Sequence, residues 1–266
     1  MLRSVFAKTV WERRNGMIGW TIGVAALVVI TAVFYPTIRE QQDAYSQLFE
    51  TMEDFASLFG VDSISEILEP PGYLNSQLYA QTLTIVLLVF AIGMGTAAVA
   101  GEEDRKTMDL LLAHPVPRWR IVVEKFAAMT ALTFALALLT LVVLLLLNEP
   151  TELRLGFVEL LAANVGMGLL GLFFGTLALA IGAVTGRRGL TIGLSAGAAV
   201  AAVFLVGCAP VIESIEWSQV LSPFWWYLGG RPLTAGFDVK LLGLIAGIGV
   251  LLAVAVWGFE RRDVAV

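Results

Sequence analysis

Charge is what this sequence has least of. Only 15% of its 266 residues are Asp, Glu, Lys or Arg, against 58% hydrophobic residues and a mean hydropathy of +0.82. A soluble domain clothes its core with roughly 25% charged residues, so a water-exposed globule and a disordered chain are both excluded. The single cysteine, Cys208, rules out any intrachain disulfide; set in an apolar run, it reads as a small packing residue. The single histidine, His114, stands in a loop beside Pro115, away from any span, so neither a metal cluster nor an intramembrane Ser–His pair can be assembled around it. A phosphate-cradling loop is also missing, because Gly182-Ala-Val-Thr-Gly186-Arg-Arg-Gly lacks the Lys-Ser/Thr that such a loop needs.

The charge that is absent is absent in blocks. Six stretches, approximately 17–35, 78–100, 126–147, 160–185, 190–212 and 241–259, contain no Asp, Glu, Lys, Arg or His. Each matches the roughly 20 residues a helix needs to cross a ~30 Å hydrocarbon core, and each is too long for a strand of a membrane barrel. The expected fold is therefore all-α and polytopic, a single transmembrane domain over residues 1–266. The first stretch begins after residue 16 and has no small-residue cleavage site before Pro36, so it is read as a retained span.

Lys and Arg set the orientation. Thirteen of the 17 fall on the side shared by the two termini, and only Arg39, Arg154, Arg231 and Lys240 fall on the other. The positive-inside rule then places both termini in the cytoplasm, within the cell (plasma) membrane. Eight carboxylates accompany the inner cations and fourteen lie outside, so the overall charge of −5 belongs to the outer face. No basic helix or stacking platform for nucleic acid is present.

Between the spans the periodicity predicts short helices. Residues 2–14 alternate as expected of an N-terminal interfacial helix leading into span one. Tyr45, Leu48, Phe49, Met52, Phe55 and Phe59 mark an outer helix, and Ser63 with Glu66 has capping-box spacing for another, which Pro70, Pro71 and Gly72 should end. Val211–Val239 is too apolar for a wet loop and reads as outer re-entrant or short helices between spans five and six. Glycine stripes lie on span four (Gly171, Gly175), span five (Gly189, Gly193, Gly197) and span six (Gly243, Gly247), and packing within the chain is the default reading of all three.

The connection Gly101–Arg120 carries the most information. Acids open it at a helix N-terminus, Met108, Leu111 and Leu112 form an apolar stripe, and Pro115 and Pro117 end it. An amphipathic helix between two spans suits docking into a groove on a soluble partner, although a solvated loop has the same composition. A carrier driven by an ion needs an ionisable group within the bilayer, and the six stretches have none, so if the chain moves a cargo uphill its energy has to enter from another subunit. Three functions remain open: an ATPase-coupled permease, a passive channel or structural component, and a membrane enzyme dependent on His114.

These residues resemble the permease subunits of ABC-2 type transporters, whose inner connection has an acidic pair, a small-Thr step, a Leu run, a Pro-x-Ser-Arg turn and a Lys entering the next span. The matching residues are Glu102-Glu103, Lys106-Thr107, Leu110-Leu111-Leu112, Pro115-Val116-Pro117-Arg118 and Lys125, with Lys106 where Gly is usual and Pro117 where Ser is usual. Phe55-x-x-Leu58-Phe59-Gly60, Gly72-Tyr73-Leu74, Leu221-Ser222-Pro223-Phe224 and Phe259-x-Arg261-Arg262-Asp263 extend the similarity over nearly the whole chain. The resemblance implies a non-catalytic half-transporter, an exporter as its relatives are, that works as a homodimer with two copies of a cytoplasmic ABC ATP-binding subunit; ATP and Mg would sit on that partner and no cofactor on this chain. It implies a coupling interface of Glu102, Glu103, Asp104, Arg105, Lys106, Thr107, Met108, Leu111, Leu112 and Arg118, with Arg187 and Arg188 as a second contact. It also points to Thr21, Thr31, Thr82, Thr84, Thr96 and Ser195 as walls of a translocation path.

Overall fold

A backbone in hydrocarbon has to satisfy its own hydrogen bonds, and this chain does so with helices. The computed structural model describes residues 4–40, 69–108, 117–208 and 213–262, with no strand among them. The ten α-helices of the described residues are α1 (Val5–Glu40), α2 (Pro70–Leu74), α3 (Thr82–Ala98), α4 (Ala100–Asp104), α5 (Arg118–Leu147), α6 (Phe157–Thr185), α7 (Arg188–Cys208), α8 (Pro223–Leu228), α9 (Pro232–Ala235) and α10 (Leu241–Arg261). A π-helical turn, Asn75–Tyr79, joins α2 towards α3, and a 3₁₀ helix, Glu213–Leu221, precedes α8. Six helical segments are long and apolar enough to cross a membrane: Val5–Glu40, Pro70–Ala98, Arg118–Leu147, Phe157–Thr185, Arg188–Cys208 and Leu241–Arg261.

Two expected boundaries move. The separate N-terminal interfacial helix is not a distinct element: residues 5–16 are the first turns of α1, which runs unbroken through Pro36 to Glu40. Pro70 and Pro71, expected to end helical structure, open span two, with Glu69 in extended conformation before them. Proline lacks the N–H that the first helical turn leaves unpaired anyway, so it starts a helix as readily as it stops one. The outer helices expected around Tyr45–Phe59 and Ser63–Leu68 lie outside the described residues. The short helices expected between spans five and six are present, and Ser222 anchors them: its Oγ accepts from the Phe224 N–H at 3.2 Å and donates to the Ala202 carbonyl of α7 at 2.8 Å.

Helix α6 is the axis of the bundle and packs against α3, α5, α7 and α10, while α1 lies mainly on α5. Glycine makes the central contacts possible. A Cβ on Gly175 would stand 3.0 Å from the Ala91 carbonyl oxygen and 2.8 Å from the Met129 sulfur, and one on Gly171 would press on Leu87. The span-six stripe is filled in the same way, Gly243 by Trp226 and Gly247 by Phe173. The span-five stripe departs from the expectation of packing within the chain as far as the described residues go, because Gly189, Gly193 and Gly197 have none of them within 4 Å of a Cβ position. Cys208, read as a packing residue, is exposed at the end of α7. Outward-facing Ile18, Ile22, Ile30, Leu138, Leu146 and Val250 would be untenable in water and are at home against acyl chains.

Candidate functional site

The sequence puts most of its cations at one end of the bundle, and the fold ties that end together. The Phe6 N–H donates to the Glu124 carboxylate at 3.0 Å, and the Arg118 guanidinium donates to the Arg262 carbonyl at 2.8 Å, so the starts of α1 and α5 meet the end of α10. At the opposite end Arg39 pairs with Glu152. Both terminal regions of the described chain therefore share one end.

At the centre of that end is α4. Val99 breaks the helical course of span two, and Ala100–Asp104 continues as one short helix closed by a Schellman motif. In it the Thr107 N–H donates to the Glu102 carbonyl at 2.9 Å and the Lys106 N–H to the Glu103 carbonyl at 2.9 Å. Lys106 takes the left-handed position at φ +55°, where a side chain is disfavoured and glycine fits best. Gly186 fills the same role at the end of α6, at φ +65°, and its N–H donates to the Gly182 carbonyl.

Each acid of α4 reaches a different span. Glu102 is only 5% exposed and accepts from Lys125 Nζ of α5 at 2.6 Å, while the Thr107 hydroxyl donates to its other oxygen. Glu103 pairs closely with Arg262 at the end of α10, beside Gly186. Asp104 pairs with Arg188 of α7 at 3.3 Å on the surface. Burial pushes the Glu102 carboxyl up, but its hydrogen bonds from Lys125 and Thr107 outweigh that and hold it below its ordinary value. Met108 turns inward to a cluster with Val122, Leu179 and Phe259.

The expected interface residues thus divide. Glu102, Thr107 and Met108 hold the turn from within, Glu103 and Arg118 converge on Arg262, and Asp104 joins Arg188. Arg105, Lys106 and Arg187 are exposed, with Arg105 turned back so that its Nε donates to the Gly101 carbonyl. Leu111 and Leu112 lie outside the described residues, as does His114. The six wall candidates divide too: Thr84, Thr96 and Ser195 are buried within the chain, whereas Thr82 is exposed and Thr21 and Thr31 are half-buried. Lys125 and Arg262 are the structural residues missing from the expected site. Their signal was a Lys at the mouth of an uncharged stretch and an Arg just after another, which registers as a boundary rather than as a partner. Among the described residues no three His, Cys, Asp or Glu side chains converge where a metal could sit.

Deeper in the bundle, Asn164 of α6 donates to the Tyr79 hydroxyl at 2.8 Å and to the Leu160 carbonyl at 2.7 Å. This link joins α6 to the π turn of span two inside the apolar core.

The family model described as ABC-2 family transporter protein matches residues 5–264. No curated protein matches the chain.

Proposed function

The chain belongs to the ABC-2 transporter family, and on that premise we propose that it is the permease subunit of an ATP-driven exporter. In this reading two copies form the translocation path and each receives a cytoplasmic ABC ATP-binding subunit, which holds ATP and Mg and performs the hydrolysis. The termini and α4 face the cytoplasm of the cell membrane, in keeping with the thirteen Lys and Arg gathered there. Glu102, Glu103, Asp104, Arg105, Lys106, Thr107, Met108, Leu111, Leu112, Arg118, Arg187 and Arg188 form the coupling segment, its buried members shaping the turn and its exposed ones meeting the ATPase, and Thr21, Thr31, Thr82, Thr84, Thr96 and Ser195 lie along the path.

One observation carries the reading. Helix α4 is bonded to spans three, six and five through Glu102–Lys125, Glu103–Arg262 and Asp104–Arg188, so a push on it is delivered to three spans at once. The test is co-reconstitution with the ABC ATPase expressed alongside the permease. Leu111→Glu should block ATPase binding, and Glu103→Ala should leave binding intact but reduce permease-dependent ATP turnover by about tenfold, the loss expected for one charge-assisted contact. Unchanged binding and turnover in both variants would refute coupling through this segment.

A further inference from the structure

Beside α4 a groove opens between α1 and α3. Its upper part is a cavity of about 320 Å³ with Arg13, Arg105 and Arg188 at one end and Met17, Trp20 and Phe90 below them. Gly16 and Trp20 also line a second cavity of about 420 Å³, which continues past Gly19, Gly23 and Leu27. Trp20 meets Phe90 edge-on at 5.4 Å and forms the floor. Gly16, Gly19, Gly23 and Gly93 have nothing within 4 Å of a Cβ position among the described residues, which leave the open side unfilled.

Charge distinguishes this groove from a plain apolar face. Pairing off the neighbouring groups, Lys8 meets Glu12, Lys125 meets Glu102 and Arg188 meets Asp104. Arg13 and Arg105 keep no carboxylate partner among the described residues, although Arg105 donates its Nε to the Gly101 carbonyl. Two guanidiniums outside any ion pair of the described residues, with Arg188 beside them, thus stand over an apolar trough, and Glu12 and Glu102 act on Arg13 only from beyond ion-pair distance. From Arg13 to Leu27 the trough follows α1 for about 21 Å at 1.5 Å per residue, more than the ~15 Å of hydrocarbon in one leaflet. An anionic amphiphile complements both the cationic end and the apolar trough.

We propose that the groove binds one anionic phospholipid, its phosphate between Arg13 and Arg105 and an acyl chain along Gly16, Trp20 and Gly23. Guanidinium geometry favours phosphate oxygens, and the half-buried Arg13 and the exposed Arg105 would gain an ion-pair partner that the described residues do not supply. Binding needs neither an ATPase nor a cargo.

Native mass spectrometry of the detergent-purified full chain tests this, with phosphatidylglycerol and phosphatidylcholine of identical acyl chains as probes and inorganic phosphate as competitor. Phosphatidylglycerol should be retained about tenfold better than phosphatidylcholine, the factor expected for charge-assisted hydrogen bonds. Arg13→Gln/Arg105→Gln should abolish the preference and Arg13→Lys/Arg105→Lys should keep part of it. Gly16→Trp should fill the trough and displace lipid without changing the mass of the protein assembly. Equal retention of the two lipids, or a preference that survives the double Gln variant, would overturn the proposal. Displacement by inorganic phosphate would reveal a free-anion site instead, and a changed oligomeric mass in Gly16→Trp would reveal a second copy on this face; either result also overturns it.

Discussion

Lys125→Met puts the junction to its most direct test. The two side chains are 4% and 6% exposed at a separation of 2.6 Å. With an effective dielectric of about 20, their attraction at 2.6 Å is about 6 kcal/mol. Removing two ions from water costs several kcal/mol each, so the pair as a whole gains little over an apolar replacement. Taking away only the lysine forfeits the attraction and leaves the carboxylate buried, at a cost of about 3–5 kcal/mol. Lys125→Met/Glu102→Gln leaves no charge to strand and should recover most of that loss. Reversible unfolding of the full chain in mixed micelles measures both variants. A Lys125→Met variant within 1 kcal/mol of the parent, or a double variant no better than the single, would refute the reasoning. The pH dependence has a fixed sign. Because the folded carboxyl of Glu102 sits below its ordinary value, its contribution is full above the usual carboxylate range and is lost as pH falls through the folded value. Glu102→Gln should remove that part of the acid slope.

The glycines separate two kinds of contact. Gly95→Ala drives a methyl into the Gly175 backbone and should destabilise the chain by about 1–3 kcal/mol, whereas Gly193→Ala meets open space and should stay within about 0.5 kcal/mol in the same unfolding assay. Lys106→Gly removes a side chain from a left-handed position and should stabilise by about 1 kcal/mol, read as a raised melting temperature; a lowered one would show that Lys106 makes a compensating contact.

The spans were legible in the sequence because hydrocarbon imposes one rule along the whole length of a helix, and uncharged runs of the right length leave no alternative. Their ends were not. Val5–Gly16 carries charges that belong to the helix as much as Met17–Tyr35 does, and Pro70 reads equally as a stop or a start until the residues around it are placed. The acidic turn at Glu102 was legible as a pattern, but its partners stand 23, 84 and 159 positions away, and no local period reports such pairings. Glycine shows the same limit. Gly171 with Gly175 and Gly193 with Gly197 have identical spacing, yet one pair is packed by Leu87 and Met129 and the other meets nothing. Periodicity identifies the face of a helix and is silent about its neighbour.

Arg262 has a practical consequence. Its guanidinium holds Glu103 and its carbonyl holds Arg118, so the last helix is stitched at a corner of the bundle beside α4. That corner lies beside the proposed seat of the motor subunit. The start of α1 is tied to the same end through Phe6 and Glu124, so an affinity handle at either terminus would crowd that seat, and one placed in the connection around Glu152 at the opposite end of the bundle is the safer route to an intact complex.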